Sequence, residues 1–499
     1  MTKSLPHCIT LVSAFSVLVA GRCPAQGYDQ PLTIQGLDHN TLSSAASRAA
    51  GGTTMGLLND VGVLFSNPAA LQTLNGIQVS FGGLQQYSSM NQAQQYSPLK
   101  YYSNFSLLMD GTIANIPNPR YSDSLGIIGT NVGDTVQRPS DGIGPNWSRS
   151  RTKATPVQAL LGVPFSIGST NLVIGVGAVE YANLSHYYQN NNVLSPSILS
   201  ERPIPIPRPQ TDSLPIVTEW SQFTRSREGS LRGYGGAVSV EITKGVSLGV
   251  SGMALKGSTD DYQQHVGRGV MTFYTNFFRL DSIHGRNTMV GSSDYSGSEF
   301  TVSGVYRSAY ISIGFSVKPP TTITRTYAGT LFVDTTGSSA AYAVNGQDKL
   351  KLPWRGTVGV SLMPRDNLTL GLEYEIRSYE SAVYTQNDGT VTNPWLSSAL
   401  FHGGVEFRPS DWLAIRAGIR GQAEVFEPDG NPIVGEPVSY TIYSAGVGVS
   451  YSGVHLNVTY EYASMKYQDV WGSAISLNND LRHTIVADIA YDLPWAIGK

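Results

Sequence analysis

The chain has 499 residues, a formal charge of -3, and 14% charged residues, where ordinary soluble domains carry ~25%. No basic cluster offsets that weak acidity, so a nucleic-acid partner is excluded. The two cysteines, Cys8 and Cys23, both fall near the N-terminus, so a disulfide framework and a zinc-thiolate site are excluded as well.

The N-terminus reads as a secretory signal over residues 1–25. Lys3 supplies the positive start, Cys8 to Ala20 an apolar core too short to span a bilayer, and "CPAQ" the small residues of a cleavage site. Removing it takes Lys3 and Arg22, changes the charge from -3 to -5 and leaves no cysteine. The rest is rich in glycine (53) and tyrosine (27), and no apolar run is long enough for a membrane helix. That combination points to an all-β fold: a transmembrane antiparallel β-barrel of an outer membrane, in a Gram-negative bacterium.

Residues 26–75 come next. Their centre, "TLSSAASRAAGGTTMGLLND", is small-residue-rich, weakly helical and too polar to face lipid. Ahead of a barrel, such a segment either hangs in the periplasm or folds back into the lumen as a hatch. The many inward Gly and Ser residues of the strands favour the lumen. Asn67, Pro68 and Ala69 form a rigid turn at its exit, because proline forces its predecessor out of the helical region.

From Gly76 onward the pattern becomes strict alternation. In "NLTLGLEYEIR" Leu368, Leu370, Leu372, Tyr374 and Ile376 share one face and Glu373, Glu375 and Arg377 the other. "VHLNVTYEY" repeats this from Val454, with His455 and Glu461 on the polar face. Short turns, such as 168–170, 243–245, 364–366, 409–411 and 452–453, alternate with long polar connections: 88–155, 188–228, 258–299, 337–350, 381–394, 427–437 and 468–479. This predicts about fourteen strands over 76–499, tight turns on the periplasmic side and long loops outside. The first long connection has room for a hairpin around Tyr101 to Met109. The "ERPIPIPRPQ" stretch within 195–215 is expected to be an extended surface excursion.

The third strand breaks the pattern. Leu172, Ile174 and Val176 set an outward parity that slips afterwards to Val179 and Tyr181, leaving Glu180 on the former lipid side. A one-residue slip reverses every side chain, so a bulge or inward kink is expected between Gly175 and Glu180. Gly175 and Gly177 are the positions where pairing breaks at least steric cost.

"SRAAGGTTMGLLNDVGVLFSNPAAL", with its Asn67-Pro68-Ala69, resembles the N-terminal hatch signature of the FadL/OmpP1/TodX outer-membrane transporters. "LPWRGTVGVSLMPRDNLTLGLEYE" and "HGGVEFRPSDWLAIRAGIR" are similar to that family's late strand-turn-strand units. The resemblance implies a fourteen-stranded barrel plugged by a hatch. It also implies passive uptake of long-chain fatty acids or aromatic hydrocarbons and lateral release through a kinked third strand, with neither ATP nor a cofactor. The chain departs from the pattern at its end, "LPWAIGK", which lacks a terminal aromatic residue.

Catalytic chemistry finds no motif. The histidines of 26–499 lack metal-ligand spacing, and no G-x-S-x-G or P-loop occurs. His455 and His483 are the only candidates for a barrel-hydrolase dyad. Inward charges on the late strands, Glu373, Glu375, Arg377, His402, Glu406, Arg408, Arg416, Arg420 and Glu461, read as an ion-pair lattice that stiffens the barrel and holds the hatch. The sharper alternative makes Arg416 or Arg420 the contact for a substrate carboxylate. Expected partners are a hydrophobic small molecule and outer-membrane lipid. The competing function is a barrel of a type IX-like secretion system that binds or shuttles cargo proteins.

Overall fold

The computed structural model describes residues 36–37, 44–96, 147–191, 211–273, 278–335, 337–393, 395–425, 436–471 and 474–493. The expected signal segment, the 101–109 hairpin, the proline-rich "ERPIPIPRP" and the C-terminal "PWAIGK" lie outside these residues.

Fourteen antiparallel strands form one sheet that closes on itself. In chain order they are β1 (Ile77–Tyr96), β2 (Trp147–Ile167), β3 (Thr170–Asn183, resuming as His186–Asn191), β4 (Ile216–Thr243), β5 (Val246–Phe273), β6 (Phe278–Arg307) and β7 (Ile311–Lys318, then Thr321–Thr335). They continue with β8 (Ser338–Leu352, then Arg355–Arg365), β9 (Leu368–Arg377, then Val383–Thr385), β10 (Ser398–Ser410), β11 (Leu413–Ala423), β12 (Ser439–Tyr451), β13 (Val454–Trp471) and β14 (Ala474–Leu493). Closure is made by β1 on β14, from Ile77 opposite Leu493 to Tyr96 opposite Ala474. A closed ring leaves no edge, so every strand can satisfy its backbone within the sheet.

Alternation sorts the side chains as the sequence requires. Phe81, Ile174, Val238, Val250, Val302, Phe315, Val358, Leu372, Phe401, Ile415, Val447, Val458 and Ile489 are all exposed, and together they ring the outer surface. Exposed apolar residues on that many neighbouring strands face lipid, which places the barrel in an outer membrane. The tight turns gather at one end. At β12–β13, Ser452 (φ 52°) and Gly453 (φ 83°) both adopt positive φ, the geometry that matches a two-residue hairpin to strand twist.

The other end corrects the reading of the long connections. Residues 258–273 and 278–299 are strand, not loop: β5 and β6 run 28 and 30 residues and stay paired almost to their tips. Residues 338–350 lie in β8, and 468–471 and 474–479 lie in β13 and β14. Beyond the membrane both faces of a strand meet polar surroundings. Pairing then continues without an apolar face, and the period-2 signal disappears.

Residues 44–75 lie within the ring. They contain a short helix, α1 (Ala45–Ala49), capped by Ser44, and two 3-10 turns, Val61–Val63 and Pro68–Thr73. Wall glycines make room for this segment. A Cβ on Gly404 would sit 2.1 Å from the Ala50 carbonyl oxygen, and one on Gly418 would sit 2.1 Å from the Gly51 nitrogen. Asn67 begins the second 3-10 turn fully buried, with Pro68 at its first position, as the proline rule anticipates.

Candidate lateral notch and lumen site

The ladder between β2 and β3 stops short. Their ladder runs from Ile167 opposite Thr170 up to Gln158 opposite Val179 and stops there. β2 stays paired with β1 as far as Trp147, and β3 stays paired with β4, first to Asn183 and again from His186. Of these three seams, the one between β2 and β3 is unzipped.

Three local features cause this. Pro156 removes a donor from β2, and the β1–β2 register shifts at Gly82/Gly83 opposite Gln158 and Pro156. On β3 the register against β4 shifts between Glu180 and Ala182, so Tyr181 is the extra residue of a bulge. The strand then breaks at Leu184 and Ser185.

The irregularity of this strand is a bulge at Tyr181, beyond the span from Gly175 to Glu180 where it was expected. Gly175 and Gly177 remain in register with β2 and β4. Gly175 serves another purpose: a Cβ there would meet Leu64 Cδ1 at 2.5 Å, so it gives the N-terminal segment a place against the wall. The parity slip also needs correcting. Val179 and Tyr181 are buried inward, at 8% and 0% exposure, and do not face lipid.

Side chains close the seam where the backbone does not. Lys153 Nζ lies 2.7 Å from Glu180 Oε1 and 2.9 Å from Asn183 Oδ1. Higher up, Trp147 packs edge-on to Tyr187 at 5.7 Å, and the Arg149 guanidinium lies 3.8 Å from the Tyr187 ring centre. The Glu180 charge is thus met by a cation, which answers the cost of placing it at the edge of the apolar band.

Beside the notch the lumen holds a buried apolar cluster. Val179, Tyr181, Leu184, Leu231, Leu255, Ile323, Leu352 and Tyr379 belong to one buried cluster, which continues into Leu64 and Leu71 of the N-terminal segment. A polar bridge crosses it. The Tyr181 hydroxyl donates to Glu299 Oε2 at 2.7 Å, and the same carboxylate is held by Lys318 at 2.7 Å and Arg355 at 2.6 Å. Lys318 and Arg355 flank a second irregularity, where Pro319–Pro320 in β7 faces Pro353–Trp354 in β8 and both strands are interrupted. The sequence reading missed this bridge. The two proline breaks were its legible signal.

The late-strand charges do form a lattice, and it grips residues 44–75. Glu461 binds Arg48 and, at 2.5 Å, Arg420. Glu373 accepts the Thr54 N–H and, at 2.8 Å, that of Met55. Arg416 is held by Glu406 at 2.6 Å and by Asn457 at 2.9 Å. Glu375 pairs with Arg377 at 2.8 Å. Every cation named as a carboxylate contact is therefore already engaged by an acid of the wall, so a substrate carboxylate at Arg416 or Arg420 would first have to displace Glu406 or Glu461.

Ala69, beside Asn67 and Pro68, donates to Ser303 Oγ at 2.8 Å and accepts from Ser239 at 3.3 Å. His455 bridges Ser450 at 2.8 Å and Asp492 at 2.9 Å, the atoms of a Ser-His-Asp relay. The Ser450 backbone N–H is spent on the Trp412 carbonyl, however, and Asp492 also accepts from Asn59 and Gln78. The relay thus lacks that N–H as an oxyanion donor and instead ties the N-terminal segment to β14. His483 faces outward and accepts from or donates to the Tyr460 hydroxyl at 2.6 Å, among the tyrosines expected at a membrane interface. A groove of about 700 Å³ lined by Leu248, Tyr306, Phe315, Val358 and Tyr374 opens on the lipid side, away from the lumen.

No family model and no curated protein matches the sequence. Solved structures do. A Pseudomonas aeruginosa FadL homologue aligns over 90% of this chain and 98% of its own, at 11% identity and a TM-score of 0.55. The Pseudomonas putida toluene transporter TodX aligns over 91% and 99%, at 12% identity and 0.54. CymD, a monoaromatic hydrocarbon channel, aligns over 91% and 99%, at 11% identity and 0.50. The chain has the fold of these channels.

Proposed function

We propose that this barrel is a channel for passive uptake of hydrophobic small molecules across the outer membrane, with lateral release at the β2–β3 notch. The observation that carries it is the loss of β2–β3 pairing beyond Gln158 and Val179, directly beside a buried apolar lumen. A solute that prefers hydrocarbon gains by leaving sideways into lipid rather than down into aqueous periplasm. Residues 44–75, gripped by Glu373 and Glu461, act as the hatch that blocks the straight path. The toluene and monoaromatic hydrocarbon transport named for structures of this fold supports an apolar substrate class.

The test uses cysteines at the notch. In Lys153→Cys/Glu180→Cys, a short reducible cross-linker should stop uptake of a radiolabelled aromatic hydrocarbon or fatty acid, and reduction should restore it. Uptake that continues through the cross-linked barrel removes lateral release. The reading as a secretion barrel draws support from β4, β5 and β6, whose 28, 28 and 30 residues far exceed the ~9–11 needed to cross a bilayer. That reading requires secreted proteins to disappear from the medium when the gene is deleted, with hydrocarbon uptake unchanged.

A further inference from the structure

The rim of the notch carries a pair of like charges that the uptake reading does not use. Arg232 on β4 and Lys256 on β5 are direct cross-strand neighbours. Both are exposed, and both lie on the outward face. Below them that face is apolar, through Tyr234 and then Val238 and Val250. The pair therefore stands at the upper edge of the lipid-facing band, with the Tyr234 ring at the level where amphipathic aromatics settle.

Two cations directly opposite each other in a sheet destabilise it unless an anion joins them. Among the described residues neither makes a salt bridge or a side-chain hydrogen bond. The acid in register with Arg232 is Glu180, but that carboxylate is turned to Lys153 across the notch and is almost fully buried. Beyond the end of a lipid-facing apolar band a bilayer presents its headgroups, whose common anion is phosphate.

We propose that Arg232 and Lys256 bind the phosphate of a phosphorylated outer-leaflet lipid, which then lines one side of the notch with an ordered headgroup. Charge complementarity and the position at the apolar edge select the occupant. A headgroup phosphate reaches the pair while its acyl chains lie along Val238 and Val250, whereas a free anion gains nothing from that apolar face. The bound lipid would form part of the surface that a released solute meets.

The test is native mass spectrometry of the purified barrel with bisphosphorylated lipid A, its dephosphorylated form and inorganic phosphate as separate probes. The wild-type chain should retain the bisphosphorylated lipid about tenfold or more better than Arg232→Gln/Lys256→Gln. It should also hold it in preference to the dephosphorylated lipid, and Arg232→Lys/Lys256→Arg should keep the preference. Both positions face outward, and heat-modifiable migration checks that each variant has folded. Equal retention by wild type and the Gln variant overturns the proposal. Displacement of the lipid by millimolar inorganic phosphate also overturns it, since the site would then take a free anion. Hydrocarbon uptake is measured separately, so failure here leaves the uptake reading standing.

Discussion

Glu461 shows how single side chains carry this design. It is buried between Arg48 of the N-terminal segment and Arg420 of the wall. Removing one partner of a buried charge cluster costs about 3–5 kcal/mol, because the others are left uncompensated. Glu461→Gln should therefore loosen residues 44–75 while the β-ladders persist. The expected signature is frequent ion-conducting openings in planar bilayers with unchanged heat-modifiable migration; a variant that stays closed would show that Arg48 is not an anchor.

At the level of elements the third strand matters most. Tyr181 is the inserted residue of its bulge. Deleting it should bring Ala182 into phase, lengthen the β2–β3 ladder and suppress uptake. Tyr181→Phe should keep the bulge and lose only the hydroxyl's bonds to Glu299 and Arg355. If both variants transport alike, the bulge is not the gate. Gly175→Val is expected to leave the notch open, because the backbone there is already paired on both sides. Its effect falls instead on Leu64, displacing the segment packed against it.

For the whole molecule, orientation and closure are the testable properties. Asp388 lies in the polar stretch 386–390 between β9 and β10, at the end opposite the tight turns, and Asp411 lies in a tight turn. In intact cells a membrane-impermeant maleimide should label Asp388→Cys and spare Asp411→Cys; the reverse pattern would invert the barrel. Deleting residues 26–70 should leave a foldable barrel that conducts ions, since the strands close their own hydrogen bonds and the segment only fills the ring. A barrel that remained closed after the deletion would mean that these residues do not obstruct the lumen.

Composition, alternation and the succession of short turns and long connections together pointed to a barrel of about fourteen strands and, outside the third strand, to the side chains that face lipid. A wall with lipid on one side and a packed lumen on the other writes period 2 into each strand. Local turn chemistry marked the tight end for the same reason: positive φ needs its own residues, as at Ser452–Gly453. The inward charges were legible as a set, but their partners were not. Arg48 meets Glu461 across 413 residues of chain, and no periodicity encodes which strands a segment inside the ring will touch. The notch was legible only as a disturbance near Glu180. Its position depends on Pro156 of β2, the Tyr181 bulge of β3 and the break at Leu184 coinciding at one height, and register between strands is settled when the sheet closes. The polar ends of β5 and β6 read as loops because, beyond the membrane, a strand has no apolar face to announce it; only pairing with its neighbours decides that it continues.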